Sequence, residues 1–411
     1  MNENNIKLHS GSGPEAEAEA RRERRKKRRQ ESRRAFHLVM AGILVCFILA
    51  FLLINLFVPT KAFSSDENRT LAARPALTWE TVKNGKFFSA YDTYYSDQFV
   101  GRPFWMKVKT AGLTLLGEKE SGDVYFGRDG YLLGKPVTPD RKAEERTISA
   151  INTFAAANPD LSQTMILVPD AASVLSRELP ANAPVRDQKK DIGDFEKQLS
   201  GVQCVDAYAA LSAAAEESQV FYRTDHHWTS GGAKAVFDAA APALGIENPA
   251  SSYDIYTVTT SFEGTLSSKS GNHRASDSIE IYVPQGTDTE YYVNYPDLSK
   301  KSASLYMKDK LSEKDQYQVF FGGNHPLVEI RTTAGNGRNL LVFKDSYANS
   351  FIQFLTPYFS KIILIDPRYY YEDIGATAST YGITDVLYLY SADTLLTDNG
   401  LADTLSAEAS E

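Results

Sequence analysis

The sequence predicts an α/β protein in which a mostly parallel sheet is covered by helices on both faces and is preceded by one membrane-spanning helix. Unbroken apolar runs, such as residues 361–366 and 385–390, alternate with stretches of helical periodicity, as in sheets that are buried on both sides. Residues 38–58 form an apolar stretch of 21 residues without a charge. A chain of 411 residues, 43% of them hydrophobic, can also bury a large core.

The N-terminal region is predicted to anchor the chain in a membrane. Residues 1–20 are rich in Gly, Ser, Glu and Ala and a basic block follows them, so residues 1–34 are predicted to form a disordered basic cytoplasmic tail. Residues 35–60 form the predicted transmembrane anchor, since about 20 apolar residues cross a bilayer core of about 30 Å. The Lys and Arg residues before this anchor predict a cytoplasmic N-terminus and an extracytoplasmic C-terminal domain.

A cleavable signal peptide is the alternative reading of the same stretch. Its apolar region would be about 7–15 residues long and would be followed by a cleavage motif of small residues. The stretch here is longer and ends in Phe57, Val58, Pro59, Thr60 and Lys61. The sequence therefore favours an uncleaved signal-anchor.

Charge and cysteine content narrow the class of protein. Residues 1–34 carry a net charge of +5 and the whole chain carries −8, which leaves −13 on the rest. This acidic balance excludes a nucleic-acid partner and leaves the lipid bilayer as the partner of the basic segment. The two cysteines, Cys46 in the anchor and Cys204 beyond it, cannot form a disulfide within the outer domain, where Cys204 is predicted to be a buried apolar residue.

The extracytoplasmic domain is predicted to cover residues 61–395. It begins with five aromatic residues at helical spacing. This spacing indicates that they pack in a core more than it indicates a platform on which carbohydrates stack. An amphipathic helix over 143–158 and a strand over 164–169 follow, and another strand is predicted over 219–223. The aromatic residues are Phe87, Phe88, Tyr91, Tyr95 and Phe99.

The second half of the domain continues the alternation after one interruption. A helix begins after Thr229 or Ser230, which can cap it, and Gly245 ends it. Residues 250–337 are rich in Tyr, Thr, Ser and Gly and predict a β-rich insertion that could form a rim over a ligand site. Residues 396–411 predict an acidic flexible tail.

The run Asp225-His226-His227-Trp228 carries the strongest chemical signal. If the preceding strand stays extended, Asp225 and His227 lie on one face and His226 and Trp228 on the other. A carboxylate beside an imidazole can bind one ring nitrogen and stabilise the imidazolium that forms when the other nitrogen takes a proton. His227 is therefore the predicted base and Asp225 its partner.

Ser346 is the predicted nucleophile. The apolar run 339–343 predicts a strand and residues 347–359 predict a helix, so Ser346 lies where a strand leads into a helix. Free backbone N–H groups and the positive end of the helix dipole would face a developing oxyanion there. A serine at this position is also a common helix N-cap, so the serine is informative only together with the histidine run.

Metal binding is a further interpretation of Asp225, His226 and His227. Imidazole and carboxylate groups suit Mn or Zn. Adjacent histidines on opposite faces of an extended strand make joint ligation unfavourable, and His273 and His325 would have to converge on the same place. No metal or other cofactor is predicted.

Several motifs together resemble those of the DHHW family of bacterial exported proteins, which is similar to the alginate O-acetylation proteins of the SGNH-hydrolase-like superfamily. The resemblance spans roughly residues 66–392. The motifs that carry it are Glu67-Asn68-Arg69, Asp97-Gln98-Phe99-Val100-Gly101-Arg102, Gly127-Arg128-Asp129-Gly130-Tyr131-Leu132, Asp225-His226-His227-Trp228, Phe262-Glu263-Gly264-Thr265-Leu266, Gly322-Gly323-Asn324 and Lys344-Asp345-Ser346-Tyr347-Ala348-Asn349-Ser350.

The resemblance implies a three-layer α/β/α SGNH-hydrolase-like sandwich with a β-rich insertion and a Ser-His-Asp triad of Ser346, His227 and Asp225. Lys344-Asp345-Ser346 replaces the Gly-Asp-Ser opening of ordinary SGNH enzymes, so the oxyanion donors are open. The Ser346 N–H is the first candidate, and Asn324 and Asn349 are further candidates, although Asn324 also suits a turn. His226 and Trp228 become candidate wall residues.

The resemblance also implies a function in cell-envelope acylation. A membrane-bound O-acyltransferase is the implied partner, and an exported polysaccharide or cell-wall polymer is the implied acceptor. The chain would act as a membrane-anchored O-acetyltransferase, or as an esterase if water replaces the sugar hydroxyl. A catalytically inactive glycan-binding or scaffold protein is the alternative, because a fold does not prove turnover.

Overall fold

The computed structural model describes residues 13–64 and 69–406. Helices take up much of the N-terminal third and then alternate with strands. The α-helices are α1 Pro14–Phe57, α2 Trp79–Lys83, α3 Lys86–Gln98, α4 Arg102–Leu115, α5 Arg141–Ala157, α6 Ala171–Val174, α7 Gln188–Glu196, α8 Ala207–Ala214, α9 Ser230–Ala240, α10 Thr265–Ser270, α11 Ala348–Phe351, α12 Ile374–Tyr381, α13 Ala392–Leu395 and α14 Gly400–Ser406.

The strands form one large sheet and three small ones. They are β1 Phe63–Ser64, β2 Arg69–Thr70, β3 Glu120–Ser121, β4 Val124–Phe126, β5 Leu132–Gly134, β6 Ser162–Val168, β7 Gln203–Val205, β8 Tyr253–Phe262, β9 Asp277–Pro284, β10 Tyr291–Tyr295, β11 Lys300–Ser302, β12 Leu327–Thr332, β13 Asn339–Lys344, β14 Lys361–Ile365 and β15 Asp385–Ser391.

The large sheet has eight strands in the order β11-β10-β12-β14-β13-β15-β6-β7. The five strands from β14 to β7 pair in parallel. The remaining three extend the sheet in antiparallel pairing and come from the segment 250–337 that was predicted as an insertion. Part of this segment therefore belongs to the sheet, and β8 and β9 form a separate antiparallel hairpin.

Alternate residues of the central strands face two different cores. In β13, Leu340 and Val342 face the core that includes α8, α9 and α11, whereas Leu341 and Phe343 face the core that includes α5, α7 and α14. A strand buried on both sides needs apolar residues at every position, which is why these strands read as unbroken apolar runs. The three-layer α/β/α arrangement predicted from the sequence is confirmed.

The chain divides into two compact units, Met1–Ala62 with Leu71–Arg102, and Phe63–Thr70 with Pro103–Glu411. In the first unit, α1 runs without a break through the basic segment, so the predicted disorder of residues 1–34 is wrong for residues 14–34. Ala, Glu, Arg and Lys are strong helix formers, and a helix already formed by the apolar stretch extends through them at little cost. Helix α1 is long and apolar enough to cross a membrane, by length and composition.

Two further expectations need correction. The predicted flexible tail 396–411 contains α14, because Leu401, Ala402 and Leu405 are buried in the core that includes α5; residues 407–411 lie outside the described part of the chain. The aromatic residues of α3 were expected in a core, yet Asp97 is the buried residue of that helix and Phe88 is 63% exposed. Cys204, which was predicted to be buried, is half-buried in β7 and packs against the second core.

Candidate active site

The segment that carries Asp225 and His227 is a tight loop. The strand predicted over residues 219–223 is wrong, because this segment forms only an isolated antiparallel bridge between Phe221 and Trp228. The chain turns back on itself between them, and the His227 N–H donates to Asp225 Oδ1 at 3.0 Å. An aspartate that accepts from the backbone two residues on stabilises such a turn locally. The turn, and not strand alternation, therefore brings the two side chains together.

Asp225, His227 and Ser346 lie in one hydrogen-bonded line. Asp225 Oδ1 is 2.6 Å from His227 Nδ1, and His227 Nε2 is 2.8 Å from Ser346 Oγ. Asp225 and His227 are buried, while Ser346 is partly exposed at the carboxyl end of β13. This is the geometry that a serine nucleophile, a histidine base and an orienting carboxylate require.

The second oxygen of Asp225 is held by the start of α10. Asp225 Oδ2 accepts from the Thr265 N–H at 2.8 Å and from the Thr265 hydroxyl at 3.0 Å. Gly264 lies so close that a Cβ there would be 2.2 Å from the Asp225 Cβ. Only glycine fits this approach, which gives a physical reason for the Gly264-Thr265 pair in the sequence.

Asp277, the first residue of β9, fixes the turn that leads into Asp225. Its Oδ1 accepts from Gln219 Nε2 at 2.8 Å and from the Arg223 N–H at 2.9 Å. Its Oδ2 accepts from the Thr224 N–H at 2.8 Å and from the Thr224 hydroxyl at 2.6 Å. Through Asp277, the paired strands β8 and β9 thus fix the loop that carries Asp225 and His227.

Burial and neighbouring charges set the protonation of the pair. Burial, together with the neighbouring His226, lowers the pKa of His227 to about 4 in spite of the opposing effect of Asp225. Burial alone would raise the pKa of Asp225, but His226, His227 and the Thr265 N–H together hold it below its ordinary value. At neutral pH the result is a neutral imidazole beside an ionised carboxylate, with Nε2 able to accept the Ser346 proton.

Ser346 occupies a short turn and not the start of a long helix. The helix predicted over 347–359 is only α11 followed by a 3₁₀ turn, Ile352–Phe354. The Gln353 side chain donates to the Ser350 carbonyl at 2.5 Å, and Pro357 disfavours helical backbone at the residue before it. Within the described part of the chain, no residue accepts a hydrogen bond from the Ser346 N–H, so this donor remains a candidate for binding an oxyanion.

Asp345 and Tyr347 fix the backbone on either side of Ser346. Asp345 Oδ1 accepts from the Tyr347 N–H at 2.9 Å, and Oδ2 accepts from the N–H and hydroxyl of Ser391 at the end of β15. The Tyr347 hydroxyl donates to the His226 carbonyl. Trp228 Nε1 donates to the Tyr347 carbonyl at 2.9 Å. The Asp225 loop and the Ser346 turn are therefore bound to each other directly.

The two candidate wall residues differ in exposure. The Trp228 side chain is fully buried and stacks on Phe351, so it forms part of the core beneath the site. The His226 ring is exposed, lies 3.9 Å from the His227 ring and bonds to the Thr265 hydroxyl through Nδ1 at 2.7 Å. Of these two residues, His226 is therefore the one that is exposed to solvent beside His227.

Tyr317 is a site residue that the sequence reasoning missed. Its ring stacks on His227 with centroids 3.9 Å apart and planes inclined by 11°. Its hydroxyl lies 3.2 Å from the Ser346 carbonyl oxygen and 3.2 Å from Ser350 Oγ. Tyr317 stands in a 3₁₀ turn of the Tyr-rich segment 250–337 without a motif around it, so no sequence signal separates it from the other tyrosines.

Asn324 and Asn349 meet at the buried ammonium of Lys344. Lys344 Nζ donates to Asn349 Oδ1 at 2.8 Å and to Asn324 Oδ1 at 3.1 Å. Asn349 Nδ2 also lies 3.3 Å from Asn324 Oδ1. Both amide oxygens therefore point at Lys344. The Asn324 side chain is exposed, and its Nδ2 does not face Lys344. Burial lowers the pKa of Lys344 to about 8.

The groups considered as metal ligands have other partners. One ligand atom from each of Asp225, His226 and His227 lies within 4.8 Å of the others. Both ring nitrogens of His227 are hydrogen-bonded, to Asp225 and to Ser346. His273 pairs with Glu263, and His325 pairs with Asp297, so neither joins this group.

A family model for the SGNH hydrolase-like domain of the acetyltransferase AlgX matches residues 124–312, which include Asp225 and His227 but not Ser346. The probable alginate O-acetylase AlgJ of Pseudomonas syringae pv. tomato is 26% identical over 198 residues, 44% of this chain and 49% of the relative. That of Pseudomonas putida is 28% identical over 176 residues, 40% of this chain and 45% of the relative. The chain thus spans about half the length of the curated relatives it matches.

Two solved structures share the fold. A DHHW family protein from Eubacterium siraeum superposes with a TM-score of 0.60 and 24% identity, covering 69% of this chain and 95% of that protein. Bacillus cereus PatB1, solved with a sulfonyl adduct, superposes with a TM-score of 0.56 and 20% identity, covering 66% and 97%. The resemblance to DHHW and alginate O-acetylation proteins that the motifs predict is therefore confirmed, and the chain shares the SGNH hydrolase-like fold.

Proposed function

We propose that the chain is a membrane-anchored, extracytoplasmic O-acetyltransferase or esterase that acts on an exported polysaccharide or cell-wall polymer. The observation that carries this proposal is the position of His227, hydrogen-bonded to Asp225 through one nitrogen and to Ser346 through the other. The similarity to proteins named as alginate O-acetylases supports acetyl as the transferred group and a polysaccharide as the acceptor.

The chemistry proceeds in two acyl transfers. His227 Nε2 takes the Ser346 proton while Oγ attacks the acyl carbonyl, and the Ser346 N–H donates to the oxyanion that forms. The leaving group departs with the proton from His227, which leaves an acyl-serine. A sugar hydroxyl then loses its proton to His227 and attacks the acyl-serine, and Ser346 recovers its proton as the ester forms on the sugar. With water in place of the sugar, the same steps make an esterase.

The proposal also assigns this chemistry to the membrane surface. The proposed organisation has residues 1–34 in the cytoplasm, 35–60 as the anchor and 61–395 outside. Helix α1 has the length and composition that an anchor needs, and the basic segment before it favours this orientation. A membrane-bound O-acyltransferase that passes acyl groups across the bilayer would supply the donor, which is why a tethered outer domain suits the final transfer.

Active-site labelling tests the proposal. The full chain in detergent is treated with a serine-directed phosphonate, and the labelled peptide is identified by mass spectrometry. We expect labelling at Ser346 that disappears in Ser346→Ala and persists in Ser276→Ala, which removes an exposed serine. A correctly folded chain without any labelling would refute the enzyme and favour a glycan-binding scaffold.

Product analysis then separates the two activities. An acetyl donor is supplied with and without an oligosaccharide acceptor, and acetate and acetylated sugar are measured. A transferase forms acetylated sugar and releases acetate slowly, whereas an esterase releases acetate at the same rate in both cases. Activity that is lost with a chelator and restored by Zn or Mn would instead assign Asp225, His226 and His227 to a metal.

A further inference from the structure

Helix α3 of the first unit carries a row of aromatic side chains that no core covers. Phe88 is 63% exposed and Tyr91 40%, and the preceding Trp79 in α2 is 83% exposed. Ring contacts run along the helix, from Phe87 to Tyr91 at 5.7 Å and from Tyr91 to Tyr94 at 5.8 Å. A set of large apolar rings on a surface calls for a covering medium.

The helix is amphipathic. At about 100° per residue, its aromatic side chains fall within roughly 120° of one another, and the opposite arc is polar. The aromatic side is Phe87, Phe88, Tyr91, Tyr94 and Tyr95, and the polar side is Lys86, Ser89, Asp92, Thr93 and Ser96. Such a helix has one face for water and one for an apolar environment.

The end of α3 is attached to the membrane helix itself. Phe99 stacks on Phe51 of α1 with ring centroids 5.9 Å apart and planes inclined by 8°. The Val100 N–H donates to the Asn55 side chain at 2.8 Å. The apolar stretch ends at Val58, so at about 1.5 Å per residue Asn55 lies about 5 Å and Phe51 about 10 Å inside that end.

Hydrogen bonds beyond the span fix the same end of α3. Gln98 accepts from the Lys61 N–H at 2.9 Å and donates to the Lys61 carbonyl at 2.8 Å. The buried Asp97 accepts from the Ala72 N–H at 2.9 Å. The helix end is thus held where α1 leaves the apolar stretch, and it cannot move away from the span without losing these bonds.

We propose that α2 and α3 lie in the outer interface of the lipid bilayer, with the aromatic face of α3 among the headgroups and upper acyl chains. The depth of about 5–10 Å at which α3 meets α1 is the depth of helices that lie in this boundary. Tyrosine and tryptophan rings are enriched there because they are apolar at one end and polar at the other. This inference rests on the proposed membrane anchor, since without it α3 would have no bilayer beside it.

Spin labels test the depth of α3 in the full chain. Cys46 and Cys204 are replaced by Ser, single cysteines are introduced as Phe88→Cys and Thr93→Cys, and the labelled chains are reconstituted in lipid nanodiscs. Collision rates with oxygen, which concentrates in lipid, and with a water-soluble nickel complex are measured. We expect oxygen to dominate at position 88 and nickel to dominate at position 93, with a several-fold difference in their ratio.

Two reference sites separate this inference from the anchor. A label at position 44, introduced as Leu44→Cys, lies in the apolar span of α1 and should favour oxygen strongly. A label at position 217, introduced as Glu217→Cys, lies at an exposed position of the second unit and should favour nickel. Lipid-like values at position 44 with water-like values at 88 would overturn the interfacial placement alone. Water-like values at position 44 would overturn the anchor as well.

Discussion

His227 is suited to act as a base at neutral pH because its surroundings keep it unprotonated. Its burial and the nearby His226 disfavour a positive charge on the His227 ring, and Asp225 only partly offsets these two effects. Its pKa of about 4 leaves the ring neutral over the whole physiological range. The cost is a weaker base, which the charge of Asp225 offsets as the imidazolium forms.

This arrangement predicts the acid limb of the pH–rate profile. A base must be neutral, so kcat/KM should fall as the pH drops through about 4, the pKa of His227. His226→Gln removes a group that lowers this pKa, and we expect the limb to move to higher pH. His273→Gln, whose histidine pairs with Glu263, should leave the limb in place. A limb that ignores His226→Gln would contradict this account, provided circular dichroism shows the chains folded.

We predict that Lys344 positions the amide groups of Asn324 and Asn349, which are candidate oxyanion donors. Lys344→Met keeps the length of the side chain but donates to neither Asn324 nor Asn349, so kcat should fall by up to about 10²-fold with KM little changed. Removing the buried ammonium offsets part of the cost of leaving the Asn349 oxygen without its donor, so the free energy of unfolding should change little. Lys234→Met, which breaks the surface pair with Asp238, is the matched control and should change neither constant. An unchanged kcat in Lys344→Met would exclude the role.

The residue types of the site were predictable, and its supports were not. Asp225, His227 and Ser346 stand out because nucleophile, base and carboxylate chemistry needs those side chains in motifs. Tyr317 does not stand out in the sequence. Any of the 23 tyrosines could stack on the imidazole if the fold placed it there, and the sequence does not show which one is so placed. Contacts across long sequence distances determine such positions, and one sequence does not reveal them.

The pair of strands β8 and β9 is the element on which the loop that carries Asp225 depends. Its residue Asp277 accepts four hydrogen bonds from Gln219, Arg223 and Thr224, the residues that lead into Asp225. An ionised carboxylate suits four donors, because it offers only acceptor sites. The loop itself has little structure of its own, so these bonds fix its conformation.

Asp277→Asn should therefore weaken both stability and activity. The amide brings a donor against donors, and we expect about 1–3 kcal/mol of lost stability for a donor left unsatisfied, with a lower kcat as the loop loosens. Urea unfolding and steady-state kinetics measure the two effects. Asp254→Asn on β8 is the control, because among the described residues its exposed side chain accepts a hydrogen bond from Gln285 alone, and an amide oxygen can replace the carboxylate there. Equal effects of the two substitutions would argue against the role of Asp277 in fixing the loop.

Local periodicity explains which elements the sequence predicted. The strands β6, β13, β14 and β15 are apolar on both faces and leave a clear pattern. The loop at 219–228 also has strand-like residues, but the Asp225 turn and the bonds to Asp277 override that preference. Tertiary contacts decide such short segments, so their residue preferences mislead.

At the scale of the whole molecule, the charge asymmetry should set the orientation in the membrane. Residues 1–34 have a net charge of +5, and residues 61–411 have a net charge of −13. Replacing the Lys and Arg residues of 21–29 by Gln should reverse a fraction of the chains. Protease protection in spheroplasts, or a reporter fused to the C-terminus, reads the orientation. A C-terminus found inside with the natural sequence would overturn the proposed topology.

The position of β15 in the sheet has a consequence for the time at which the protein can fold. This strand lies between β13 and β6, and it is the last strand of the chain. The two halves of the sheet therefore stay apart until β15 has been synthesised. Slow, non-local strand pairing of this kind delays folding. A chain that remains open during synthesis fits the proposed export, because it can pass through a translocation pore and complete its sheet afterwards.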